Sequence, residues 1–412
     1  MIEIFPKIVD IKSICPKCLN KANFESEVYF QGIHVLGKNV CNACGTEYIS
    51  TIPTGHSTFF PVSFTLDKRH QRFDKESGSW MALPLISSVC EGLSVEGVFK
   101  RYNLGGEKEL ILINCLDDCF GHVFTKVWNV YLELQNRQNK TIAVLIPAQC
   151  RWLLPSTGIE IWSVNLALGQ IKQGIKGLDE WIRNQFQRFN KVLLHPTYIH
   201  LNHQSLDFKQ ILGVAPFDLK QFTNLSPQIT FVWREDRFWL SNRFLYFLSK
   251  VSKKYKLETL FSPFFIWRQE QLIKRVVKLI KRNLPSSSFT ITGKGKLGNL
   301  PSIIKDERHE FIDLKVEHKW NQIFSKTHVI IGVHGSHMLI PSTLAAGFIE
   351  ILPRYKIDHL TEDIAQSHNS RLSHFLGRFV DEYAGAGLIS RHVVSLVKKF
   401  DFVKRNMESE AV

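Results

Sequence analysis

The 412 residues contain no apolar run long enough to cross a bilayer. The first residues, Met-Ile-Glu-Ile-Phe-Pro-Lys, lack the basic-then-apolar order of a secretory signal, so the sequence predicts a cytoplasmic protein. Internal repeats and low-complexity tracts are missing too, which excludes a repeat array or a largely disordered chain. Acidic residues are in short supply, 38 against 52 Lys and Arg, for a net charge of +14. That excess favours polyanionic partners: nucleic acid, anionic lipid headgroups or phosphorylated substrates. Peripheral membrane contact is therefore among the expected partners. Without a secretory signal, the eight cysteines read as thiols or metal ligands, not disulfides. What remains is an ordinary globular composition, 44% hydrophobic and 22% charged, with length for two or three domains.

Residues 1–60 read as a small β module. Cys15-Pro-Lys-Cys18 and Cys41-Asn-Ala-Cys44-Gly45 are C-x2-C knuckles separated by β-type residues (Phe24, Val28, Tyr29, Phe30, Ile33, Val35). Four thiolates on two hairpins make a tetrahedral S4 site, which suits zinc and also iron. All four ligands are used and no position is left for catalysis, so the predicted role is structural. Acids at Glu25, Glu27 and Glu47 speak against nucleic acid at this module. Beyond it, Phe59, Phe60 and Phe64 are expected to pack the module onto the next domain, and Lys68-Arg69-His70-Gln71-Arg72 reads as a solvated basic loop, with contact to an anionic substrate or membrane as the alternative.

From Glu109 onward, strands and helices alternate. Predicted strands are 110–114, 141–147, 159–164, 192–195, 229–233, 289–292, 310–314, 328–333 and 348–352. Predicted helices are 123–134, 178–189, 244–254, 269–282, 317–325, 338–346, 373–382 and 389–403. Such alternation implies parallel, doubly wound sheets. Asn224 to Gln228 reads as a linker. The predicted fold class is α/β, two Rossmann-like doubly wound domains with a small N-terminal β ribbon. The division is 1–60 ribbon, 61–225 first domain, 226–390 second domain, and 391–412 a closing helix and frayed tail. The basic amphipathic helix over 269–282 reads as a domain helix whose polar face meets water, with a membrane-surface helix as the sharper alternative.

Several strand ends carry candidate chemistry. Thr327 to Pro353 reads strand, polar loop, helix, strand. The loop His334-Gly335-Ser336-His337 lies at the carboxyl end of a strand and the amino end of a helix, where phosphate binds well. Gly335 lets backbone approach a ligand, and Ser336 is placed to cap the helix and donate to phosphate. Arg234 and Arg237 follow a strand and are placed to clamp phosphates, with pairing to Glu235 and Asp236 as the plainer reading. Gly293-Lys294-Gly295-Lys296-Leu-Gly298 suggests a further phosphate or sugar loop. Cys115, Cys119, Cys90 and Cys150 read as buried thiols, with a second metal site as the sharper alternative.

The segment from Val329 through His334-Gly335-Ser336 to Ile349-Glu350-Ile351-Leu-Pro353 resembles a conserved block of family-61-type glycosyltransferases. Phe231 through Arg234, Arg237 and Asn242 resembles their Arg-rich block, and Phe120-Gly121-His122 resembles their Gly-His-Phe element. The resemblance spans roughly residues 109–400 and leaves out the cysteine module. His337 stands where the family has a second glycine. The resemblance implies a GT-B fold and transfer of a sugar from a nucleotide-sugar donor to a hydroxyl of a glycan, lipid or protein acceptor. Asp117-Asp118 lacks Asp-x-Asp spacing, so metal-independent transfer is expected. Arg234, Arg237, Lys294, His334, Gly335, Ser336 and His337 are then the donor-site candidates, with Glu350 accepting from a ribose hydroxyl. His122 is the first candidate for the general base and Asp118 the second. The competing classes are a zinc-ribbon nucleic-acid-binding protein, against which the scattered basic residues speak, and an inactive scaffold of the same fold.

Overall fold

The computed structural model describes residues 1–6, 12–23, 28–136, 139–360, 362, 364–366 and 371–407. Phe24, Glu25 and Glu27, invoked above, and residues 408–412 of the expected frayed tail lie outside the described residues. The chain forms two compact units, Met1–Leu206 and Asp207–Val412. Asn224–Gln228, read as a linker, lies inside the second unit.

The first unit is built on a six-stranded sheet ordered Ile2–Phe5, Lys191–Leu194, Glu109–Asn114, Thr141–Pro147, Glu160–Asn165, Val98–Tyr102. Its four central strands are parallel and both edge strands antiparallel. Leu110, Ile111, Leu112 and Ile113 are all buried, as expected of a strand covered on both faces. From Glu109–Asn114 the chain builds outward on one side, then returns to place Lys191–Leu194 on the other. The carboxyl end of Glu109–Asn114 is therefore a topological switch point, where open α/β sheets bind ligands.

The first sixty residues are woven into this unit. Ile2–Phe5 pairs with Lys191–Leu194. Val28, Phe30, Val35 and Ile52 share an apolar core with Leu110, Leu112 and Trp162. The strands Val28–Phe30, Val35–Val40, Glu47–Thr51, Ser63–Phe64 and Gln71–Arg72 form an antiparallel sheet. Phe64 is in its core with Leu36 and Leu85, whereas Phe59, expected to pack, is exposed. The basic run 68–72 turns into the last of these strands, and Lys68 pairs with Glu91.

The second unit is an all-parallel sheet ordered Ile304–His309, Ser288–Lys294, Gln228–Trp233, Val329–Val333, Gly347–Leu352, Gly377–Asp381. In chain order that is 3-2-1-4-5-6, the doubly wound dinucleotide-binding order. Its switch point lies between the carboxyl ends of Gln228–Trp233 and Val329–Val333. Helices Glu258–Asn283 and Ala386–Met407 contribute Val276, Ile280, Ile389, Val393 and Phe400 to the core.

Three expectations are corrected. The strand read over 310–314 is Ile304–His309, a charged edge strand whose Lys305 and Asp306 discourage pairing with another chain. Residues 373–382, read as a helix, form one turn (Leu372–Leu376) and then the edge strand Gly377–Asp381. The helix read over 338–346 is a 3-10 turn, Ser336–Met338, followed by only Leu339–Leu344, because Ala345 is already extended.

Candidate functional site

At the switch point of the second unit, Arg234 and Arg237 leave one strand while His334–His337 leaves its neighbour. Asp236 grips Arg234 through both carboxylate oxygens, as the plainer reading anticipated. Arg234 Nη1 also donates to His337 Nδ1 at 2.7 Å. Arg237 Nη1 donates to the His334 carbonyl at 2.5 Å. No carboxylate pairs with Arg237 among the described residues, so its charge is the uncompensated one. Burial first, then Arg234, holds the His337 imidazole well below its ordinary pKa. It is therefore neutral, with Nδ1 accepting and Nε2 carrying the hydrogen. That Nε2 is buried and lacks an acceptor, an orphan that a phosphate or hydroxyl oxygen would satisfy.

Gly335 makes the cluster possible. Its φ is +150°, and a Cβ there would lie 2.5 Å from Arg234 Nη1 and 3.1 Å from Arg237 Nη1. Two guanidinium groups thus lie directly against the bare backbone. Ser336 does not cap a helix: Gly335 occupies the cap position, with no side-chain cap bond. The following helix spans six residues, so its dipole is small, and guanidinium and imidazole donors dominate the site. Glu350 is paired near its strand end. It is fully buried, with Oε2 2.5 Å from His334 Nδ1, and so fixes the root of the loop.

The Gly293–Gly298 loop has an acidic setting. Its folding partners are carboxylates. Glu235 Oε1 accepts from Leu297 N (3.0 Å) and from the Trp233 indole (3.0 Å), and Glu270 Oε2 accepts from Asn299 N (3.0 Å). A Cβ on Gly295 would fall 2.1 Å from Glu235 Cδ. Two acids thus line this loop, and their charge would oppose a bound phosphate. Lys294 lies exposed at the strand end beside this loop.

At the switch point of the first unit, the organising residue is Asp117, which the sequence did not single out. It is wholly buried and saturated. Oδ1 accepts from His122 Nδ1 (2.9 Å) and Cys119 N (3.2 Å), while Oδ2 accepts from Lys126 Nζ (2.8 Å) and lies 3.1 Å from His56 Nε2. Lys126 is itself fully buried and also donates to the Leu116 carbonyl at 2.7 Å. His56 arrives from far away in sequence. Its turn is pinned by Gly55 N on the Pro196 carbonyl (2.8 Å) and Thr54 Oγ1 on the His195 carbonyl (3.0 Å). Left-handed Gly55 (φ +57°) is needed, because a Cβ would lie 3.2 Å from Lys126 Nζ.

These contacts set the titration behaviour. Burial works to raise Asp117, but Lys126, His122 and His56 together hold it well below the carboxylate range. Burial works against charge on His122, yet Asp117 outweighs it and the net direction is up. At His56 burial wins and the pKa falls to about 4. His122 Nδ1 is committed to Asp117, which leaves Nε2 for chemistry. The rings of His56 and His122 meet edge-on at 4.7 Å, and Trp80 covers His56 at 4.9 Å. Asp118, the second base candidate, is raised by burial and by Asp117, and sits 3.5 Å from Lys172 Nζ. His56, Asp117 and His122 lie close enough to hold a metal. The buried Lys126 ammonium on the same carboxylate already supplies the positive charge and disfavours a second cation there.

The four cysteines converge. Cys15 and Cys44 sulfurs are 3.7 Å apart, Cys18 and Cys41 3.4 Å, and all four lie within 4.8 Å of one another. Each knuckle closes with a turn, Leu19 N on the Cys15 carbonyl (3.0 Å) and Gly45 N on the Cys41 carbonyl (2.7 Å). The residue after each pair is left-handed: Leu19 at φ 63° and Gly45 at φ 68°. Soft sulfur donors in this spacing can hold one metal ion such as zinc. Cys115 and Cys150 are buried thiols, and burial pushes Cys115 up to about 12.

Two Rossmann-like sheets with polar clusters at their switch points define the architectural class. No family model matches the chain, and no curated protein matches it. Among solved structures, the chain is similar to the E. coli ADP-heptose LPS heptosyltransferase II, with TM-score 0.38, 11% identity, and coverage of 71% of this chain and 99% of that one. It is also similar to a family 9 glycosyl transferase from Veillonella parvula, with TM-score 0.40, 9% identity, and coverage of 71% and 97%. A spinosyn forosaminyltransferase matches with TM-score 0.33, 12% identity, and coverage of 74% and 96%.

Proposed function

We propose that this chain transfers a sugar from a nucleotide-sugar donor to an acceptor hydroxyl. The observation that carries the reading is the cluster of Arg234, Arg237 and His337 around the bare backbone of Gly335. It lies at the switch point of a 3-2-1-4-5-6 sheet, where nucleotides bind in such folds. Arg237 meets the diphosphate with uncompensated charge. Arg234, its fork fixed by Asp236, holds His337 so that Nε2–H donates to the ligand. As the bond from the anomeric carbon to the diphosphate oxygen breaks, these donors stabilise the charge that develops.

In the first unit, His122 Nε2 is the base that takes a proton from an acceptor hydroxyl, which makes that oxygen nucleophilic. Asp117 orients the ring and stabilises the imidazolium that forms. Exposed aromatic side chains near His56 suit the apolar face of a sugar: Trp80, and Phe59 beside Tyr198. The acceptor class is a glycan, lipid or protein hydroxyl, and no step calls for a catalytic metal. Cys15, Cys18, Cys41 and Cys44 hold a structural zinc.

The test is a thermal-shift titration of the full chain with nucleoside diphosphates and nucleotide sugars. A ligand specific to the folded state raises the melting temperature. The reading expects a shift with at least one diphosphate, lost in Arg237→Ala and in Arg234→Ala. No shift with any of them, or an undiminished shift in both variants, overturns it.

A further inference from the structure

The helices Arg243–Lys254 and Glu258–Asn283 pack together as a hairpin with two unlike faces. On the second helix, Phe261, Phe265, Leu272, Ile273 and Val276 turn to the core. Leu260, Phe264 and Trp267, spaced i, i+4 and i+7, form a stripe on the other side, and they are 70%, 43% and 52% exposed. On the first helix, Phe244 and Phe247 are exposed in the same way, and Tyr255 stands exposed where the helices join. Phe264 and Trp267 stack on each other at 5.9 Å in water, and exposed apolar clusters on a folded unit mark an interaction surface.

Charge selects the partner. Residues 243–268 carry Arg243, Lys250, Lys253, Lys254, Lys256 and Arg268 against Glu258 alone, six cations to one anion. A second copy of this chain docked face to face would set cationic rims against each other. Exposed aromatic anchors on a segment rich in Lys and Arg match the boundary between anionic headgroups and acyl chains, where rings bury and long basic side chains reach phosphate. Among the described residues no helix is long and apolar enough to cross a membrane, so the hairpin lies on the surface. The basic helix segment 269–282 is not the membrane element: its apolar side is in the core, and the aromatic turns before it, from 258, were not legible as helix.

We infer that the hairpin 243–268 docks the chain on an anionic lipid surface. This inference is independent of sugar transfer. The test sediments the full chain with phosphatidylcholine vesicles, with and without roughly a third phosphatidylglycerol. Binding is expected only with the anionic lipid and weakens as salt rises. Phe247→Ser/Trp267→Ser should weaken it by roughly tenfold or more, since it removes two buried anchors, with melting temperature unchanged. Lys250→Glu/Lys254→Glu should weaken it while leaving the apolar patch intact. Quenching of tryptophan fluorescence by brominated lipid should drop in Trp267→Phe. Undiminished binding in both double variants, equal binding to neutral vesicles, or absence of binding overturns the inference. Self-association removed by Phe247→Ser/Trp267→Ser, without vesicle binding, also overturns it and assigns the face to a second copy.

Discussion

Arg234 and His337 are joined by a hydrogen bond of 2.7 Å whose direction is fixed, because a guanidinium can only donate. His337 must therefore be neutral, and its pKa is held well below the ordinary imidazole range, by burial and by Arg234. Diphosphate affinity is expected to show no imidazole titration at this position between about pH 5.5 and 7.5, a window centred on the free histidine value. Calorimetric titration across that window checks it. A step in affinity that His337→Gln removes would place a titrating His337 in the site instead.

Gly335→Ala should weaken diphosphate binding by roughly tenfold or more, about 1.4 kcal/mol. The added methyl would meet Arg234 Nη1 at 2.5 Å and push the guanidinium aside. The readout is the ligand-induced thermal shift, compared with the melting temperature of the free protein. A shift equal to that of the parent chain would mean the guanidinium is not needed where the structure has it.

Asp117→Asn leaves Lys126 buried without a charge partner, and breaking such a pair costs about 3–5 kcal/mol. It also removes the acceptor that orients His122, for a loss of about 10²–10⁴ in kcat. The double variant Asp117→Asn/Lys126→Met separates the two effects. It should recover most of the stability, measured by urea unfolding, and none of the turnover. Recovered turnover would assign Asp117 a purely structural task.

His122 acts as a base only when neutral, and Asp117 raises its pKa against the effect of burial. kcat/KM should therefore climb with pH through a value above the ordinary 6.5. In Asp117→Asn this limb should move to lower pH. Stability follows a different course. A raised folded pKa means that the His122 contribution is complete below its unfolded value and is lost as pH rises through the folded one. His56, at about 4, and His34, lowered by burial to about 3, act with the opposite sign. Between pH 6.5 and 4 the unfolded chain binds protons that these two refuse, so acidification lowers stability. Urea midpoints at several pH values check this, and His34→Gln should flatten the slope.

Gly45→Ala isolates a backbone effect. No atom lies within 4 Å of the added Cβ, but φ is +68°. The cost should be about 1 kcal/mol from the left-handed conformation alone. Metal content by mass spectrometry should stay at one zinc per chain, while Cys44→Ser should lose it. A zinc-free parent chain of unchanged melting temperature would remove the metal from the fold.

Legibility in the sequence followed how local the cause was. The knuckles could be read because a C-x2-C turn is local, and Val329–Val333 because a strand buried on both faces is an unbroken apolar run. Ile304–His309 could not be read: four of the six residues of this edge strand are charged, and Glu307 and Arg308 among them are nonetheless buried. In the second unit, Arg234, Arg237 and the His334–His337 loop each end a readable strand, and the structure brings them together. In the first unit, Asp117 and Asp118 are alike in sequence, and only the fold buries one upon Lys126 and turns the other toward Lys172. His56 reaches the cluster through backbone bonds to Pro196, a pairing that no local pattern contains. The Gly293–Gly298 loop misled because glycines permit close approach without saying to what, and the answer was Glu235 and Glu270.

The segment 234–237 is tied on several sides. Gln269 Nε2 donates to the Arg234 carbonyl at 3.0 Å, Lys253 Nζ donates to the Asp236 carbonyl at 3.1 Å, and Arg237 holds the His334 carbonyl. These bonds tie 234–237 to the aromatic hairpin, so amides across 234–268 are expected to exchange with solvent together. Under the proposed function, whatever immobilises the hairpin lowers the entropy that 234–237 gives up on ordering around a ligand, so occupancy at one place is expected to tighten the other.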